Sequence, residues 1–305
     1  MKSKLSFVAS FLSILLMTAV VTSCQSKKSE PKQESAAPVV INENLRFCEA
    51  TYPYEGGILI GSFGTEQLNP LNNEGKGYIT YYKDGKSKIL IPADGTLSAP
   101  KGMYVRGKHL FVCDVNKIVV YNLDSLTTAP QIIRFPEEDL FVNDLVALGT
   151  TLYASVTNTD RIYSIDISNL DKMEQVVPIK WVDIAGPNGL VINNSSMYVA
   201  SYPADGNTTE ANVVYMIPDI TNPVPEKFIT TPGQYDGIAL SDDGKTMYVT
   251  DWSPAIHSID MQTRKMTPLT VGKEIVGPAE ISVVGNQMYI PDLPNSQVIC
   301  ISLDN

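Results

Sequence analysis

Only two histidines, His109 and His257, occur in the 305 residues, which argues against a histidine-based nucleophilic site or a histidine-rich metal centre. Cysteine is scarce too. Four occur, none of them in a CxxC pair or at metal-ligand spacing. Basic residues are outnumbered, 23 against 33 acidic, for a net charge of −10. A chain this acidic has no electrostatic footprint for nucleic acid. No GxSxG, HExxH or phosphate-binding glycine loop appears, and no segment reads as a basic amphipathic helix.

The one long apolar run lies at the start. Two lysines precede Leu5 to Val21, and Val21-Thr22-Ser23-Cys24 follows. A basic start, an apolar run shorter than a membrane span and small residues before a cleavage point describe a signal peptide, residues 1–23. Loss of Lys2 and Lys4 with that leader takes the net charge from −10 to −12. The cysteine after those small residues resembles a bacterial lipobox, which implies lipidation of Cys24. An ordinary signal peptide with a chance cysteine is the alternative. Gln25 to Pro38 has no aromatic residue and no aliphatic larger than alanine, so residues 24–40 read as a lipidated cysteine and flexible linker. The expected location is the cell envelope. Position 25 is not aspartate, which by resemblance to enterobacterial sorting favours the outer membrane, with the lipid as the only membrane contact.

Residues 41–305 repeat a strand pattern. Short runs recur as ILIGSF from Ile58, LFVCD from Leu110, LYASV from Leu152, MYVAS from Met197, MYVTD from Met247 and MYIPD from Met288. Third runs and polar turns follow most of them. Six units of roughly 40–50 residues without a convincing helix predict an all-β, six-bladed β-propeller with four-stranded blades, as a single monomeric domain. Cys48, Cys113 and Cys300 fall inside apolar runs, where one disulfide is possible and its pairing is open.

Counting back from the middle of each second run gives one residue per blade bordering the axis: Glu49, Lys101, Asn143, Asn188, Asp236 and Ala279. Neither histidine belongs to this ring. Two carboxylates and two amide oxygens on separate rigid elements suit a divalent metal ion, calcium above all. The alternative for each position is ordinary turn chemistry, as at Asn188-Gly189 and Asp236-Gly237. Lys101 either pairs with Glu49 or Asp236 in place of a metal, faces an anionic ligand, or is a plain turn lysine. Trp181 and Trp252 either line the funnel or pack between blades.

The motifs CEATY around Glu49, APKGM from Ala99, FVNDL from Phe141, GPNGL from Gly186, YDGIALSDDG from Tyr235 and GPAEI from Gly277 resemble the SMP-30/gluconolactonase/LRE-like propellers. That resemblance implies metal ligation by Glu49, Asn188 and Asp236, with Asp236 also the general base. It places Asn143 beside the metal, in contact with substrate, in a lactonase-type hydrolase. Two departures weigh against a sugar substrate: Phe141 stands where those enzymes carry arginine, and Leu145 replaces a glycine. The competing expectation is a non-catalytic propeller that binds a small molecule or protein, with a structural ion or none.

Overall fold

The computed structural model describes residues 37–303. Cys24, the leader and most of the linker lie outside the described residues. Six antiparallel sheets of four strands each surround one axis, and the only helical elements among the described residues are three short 3-10 segments. The expected six-bladed propeller is the observed fold. The innermost strands, from blade I to blade VI, are Cys48–Tyr54, Met103–Arg106, Val142–Leu148, Pro187–Asn193, Tyr235–Leu240 and Ser282–Val284.

Alternation along the repeated runs explains how the blades stack. In His109–Asp114, Leu110 and Val112 join the core shared with blade I, while Phe111 and Cys113 join the core shared with blade III. Successive side chains of a strand point to opposite faces, so an unbroken apolar run belongs to a strand covered on both sides. One apolar cluster fills each of the six blade interfaces. A smaller one, with Phe47, Phe63, Ala99, Ala279 and Leu293, lies near the axis.

The ring is closed by the start of the domain. Val39–Ile41 is the outermost strand of blade VI, pairing Val39 with Cys300 and Ile41 with Val298. Val39 and Val40, read from sequence as linker, therefore belong to the sheet. Cys48, Cys113 and Cys300 are buried and unbridged. His109, assigned from sequence to a turn, is the buried first residue of its strand.

Aspartates ending the second strands have a structural task. Asp114 accepts from the N–H groups of Ser98 and Ala99, and Asp251 from those of Gln234 and Ser253. Asp292 accepts from Val276 and Gly277. Each carboxylate thus fixes the loop that leads into an axial residue of its own blade, two to four positions before Lys101, Asp236 and Ala279.

Candidate functional site

Four inner strands break register where their axial residue lies. The irregularities fall between Cys48 and Ala50, Val142 and Leu145, Pro187 and Leu190, and Tyr235 and Ile238. A bulge frees backbone from the ladder and re-aims side chains. It brackets Glu49, Asn143-Asp144, Asn188-Gly189 and Asp236-Gly237.

The freed groups bond across to neighbouring blades. Gly102 N–H donates to the Asn143 carbonyl at 2.8 Å, and Glu280 N–H to the Glu49 carbonyl at 3.0 Å. Ser155 Oγ donates to the Asn188 carbonyl at 2.6 Å. Gly189 and Gly237 lie in strands, not turns. A Cβ at either would stand 2.5 Å from a carbonyl oxygen of the next blade, that of Asp236 or of Ala279. Those glycines let inner strands approach closely, so the turn reading of the Asn-Gly and Asp-Gly pairs does not apply.

The predicted axial residues are all buried. Glu49 Oε2, Asn143 Oδ1, Asn188 Oδ1 and Asp236 Oδ1 each lack a hydrogen-bond partner. The other Asp236 oxygen, Oδ2, accepts from the Trp252 indole N–H at 2.6 Å. Trp252 thus sits at the site, packed edge-on against Tyr202, whereas Trp181 packs on Tyr153 between blades. Burial pushes the Asp236 carboxyl up to about 7, against the opposing pull of the Trp252 N–H and the Lys101 charge. Glu49 is pushed well above the usual carboxylate range, first by burial and then by the Asp236 charge.

Lys101 is fully buried, yet its ammonium does not bond to a carboxylate. Nζ donates to the carbonyls of Pro70 and Ala99, both at 3.0 Å. It also lies over the rings of Phe141 and Phe63, at 5.1 and 5.7 Å. Burial lowers its pKa, with Glu49, Asp114 and Asp236 opposing the shift. Phe141, standing where the sugar lactonases carry arginine, packs against this ammonium. The Pro70 contact draws the long loop between the second and third strands of blade I over the ring.

Two further carboxylates reach the axis that the one-per-blade count passed over: Asp144 and Glu280, each one residue beyond a counted position. Asp144 Oδ2 accepts from Leu190 N–H of blade IV at 2.7 Å, and burial raises its carboxyl to about 7. Glu280 Oε1 accepts a long bond, 3.4 Å, from Ile238 N–H, while Oε2 has no partner. Burial and the charges of Asp144, Asp236 and Glu49 raise Glu280 well above its ordinary value. The signal was present in FVNDL and GPAEI, where an acid follows the counted residue.

Among the described residues, no group of three or more histidine, cysteine, aspartate or glutamate side chains is arranged to hold a metal. The candidate donor set mixes two carboxylates with two amide oxygens. The two histidines lie away from it. His257 Nε2 is 4.0 Å from Asp251 Oδ2 in blade V, whose carboxylate is already engaged with backbone N–H groups.

No protein-family profile matches the chain, and no curated protein matches it. Solved structures do. A protein of unknown function from Bacteroides thetaiotaomicron aligns over 85% of this chain and 70% of its own, with TM-score 0.59 and 13% identity. A nidogen/laminin complex chain aligns over 88% and 90%, with TM-score 0.60 and 13% identity. A catalytically inactive virginiamycin B lyase from Staphylococcus aureus, solved with quinupristin, aligns over 88% and 99%, with TM-score 0.56 and 14% identity. These identities establish a shared propeller fold and nothing finer.

Proposed function

We propose that the chain is a divalent-cation-binding propeller, with calcium the ion its donors suit, whose axial site hydrolyses a small ester or lactone. The observation that carries the cation is the set of four unpartnered buried oxygens on Glu49, Asn143, Asn188 and Asp236. Buried polar atoms are rarely left without partners, and an unmodelled ion is one of the few explanations when they are. Hard oxygens on rigid strands are what calcium takes. The carboxylates supply the charge, while Lys101, tied to carbonyls, neutralises them only at a distance.

The same four residues carry the resemblance to the SMP-30/gluconolactonase/LRE-like enzymes. The virginiamycin B lyase adds that enzymes occur among propellers of this shape. A calcium ion bound there supplies Lewis-acid polarisation of a carbonyl. The chain's own contribution is Asp236. Trp252 fixes one of its oxygens, leaving Oδ1 to take a proton, and a carboxyl near 7 is suited to general-base work at neutral pH. Phe63, Phe141 and the Pro70 loop limit water around the ring and make its surroundings apolar, which fits a substrate less oxygen-rich than a sugar acid.

That same burial favours a second reading, a structural ion in a non-catalytic binding propeller. The two separate in a turnover assay with γ- and δ-lactones and nitrophenyl esters, run with calcium and with chelator. The proposal expects calcium-dependent turnover that falls by about 10²-fold or more in Asp236→Asn, the usual worth of a general base, with the fold intact. Calcium binding without turnover of any substrate would leave the structural reading.

A further inference from the structure

The axial channel has a second end. Beyond the ring, the later residues of all six inner strands surround a cavity of about 400 Å³. Its walls are mostly carbon: Met103, Leu145, Leu190, Ile238 and Ile281, with Tyr52 and Tyr104 set edge-to-face, ring centroids 6.5 Å apart. Two acids, Asp144 and Glu280, also line it. Most of their oxygens have tasks, since Asp144 Oδ2 holds Leu190 N–H and Glu280 Oε1 faces Ile238 N–H. The exception is Glu280 Oε2, which has no partner although its residue is only 5% exposed.

We propose that this cavity binds a small organic cation, an ammonium group carried on an apolar body. The head would sit on Glu280 Oε2 with Asp144 nearby, and the body against the aliphatic and tyrosine walls. A buried anionic oxygen without a partner is costly, and a charge-assisted hydrogen bond from an ammonium group satisfies it. Aromatic faces add cation–π attraction. The cavity lies within the size range of small-molecule sites, which are largely apolar with a few placed polar groups.

A hard metal ion fits this end less well. The hydroxyls of Thr51 and Ser282 bond each other at 2.8 Å, and Asp144 is committed to backbone, so few oxygens remain for a shell of six or more. The proposal does not depend on hydrolysis at the ring.

Titration calorimetry of the purified protein at pH 8 with hexylammonium chloride tests it, with hexanol as the neutral analogue. Hexylammonium should bind more tightly than hexanol by about tenfold or more, the worth of one charge-assisted hydrogen bond. Glu280→Gln should remove that preference. So should Val283→Lys, which places a competing ammonium on a half-buried wall position and guards against misfolding of the first variant. Asp236→Asn should leave the preference in place. Equal binding of both probes, a preference that survives Glu280→Gln, or displacement of hexylammonium by calcium in Asp236→Asn would each overturn the assignment.

Discussion

Trp252 and Asp236 show how one side chain sets the working state of another. The indole N–H at 2.6 Å holds Oδ2 and favours the ionised carboxyl, while burial opposes it. A proton and a cation compete for this group, so calcium affinity should rise with pH and level off above about 7. Trp252→Phe keeps the ring but removes the donor, so the rise should move to higher pH. At pH 7 the affinity should fall by roughly 10- to 100-fold, the worth of a hydrogen bond to a charged group, read by calcium titration across pH. An unchanged pH profile would show that the indole does not tune Asp236. Lys101 teaches the opposite lesson. Its place in the ring was legible from the count, but its partners were not, because Pro70 arrives from a loop 31 residues away.

At the scale of the strand, the bulges build the site. The repeat spacing located Glu49, Asn143, Asn188 and Asp236, because blades of similar length put equivalent residues at equivalent depths. It could not show that the inner strands are bulged there, since a bulge is fixed by pairing with the next strand and the next blade. A bulge sets two consecutive residues against one on the partner strand, which is how Asp144 joins Asn143 at the axis. For the same reason Gly189 and Gly237 read as turn glycines in sequence while acting as spacers in the fold. Gly189→Ala should destabilise the protein by about 1–3 kcal/mol through overpacking against the Asp236 carbonyl. Gly285→Ala is the contrast: its Cβ meets nothing within 4 Å, and its positive φ of 56° is the only obstacle. Urea unfolding of both separates crowding at the axis from backbone strain in an exposed turn; a smaller loss at Gly189 than at Gly285 would contradict the spacer role.

Over the whole molecule, six blades bring acid to one line. Glu49, Asp144, Asp236 and Glu280 are buried around a single buried ammonium, and the apolar interfaces must hold this arrangement against its own repulsion. The architecture was plain in the sequence because six apolar runs repeat. Closure of blade VI by Val39–Ile41 was not, since three residues after a polar stretch carry too little pattern. The carboxyls also set a sign for stability. Asp236 and Asp144 are raised to about 7, above the unfolded value of about 3.9. Their contribution to the metal-free protein is therefore complete below about pH 4 and is lost as the pH rises through 7. A cation that binds only the folded state reverses that loss, by about 2.7 kcal/mol at a hundredfold excess over its dissociation constant. The direct test is thermal unfolding at pH 8 with calcium and with chelator, for the wild type and for Asp236→Ala. The account predicts a midpoint raised by calcium in the wild type and unmoved in the variant. Identical wild-type midpoints in calcium and in chelator, over a range that strips even a tightly held ion, would contradict an axial cation site.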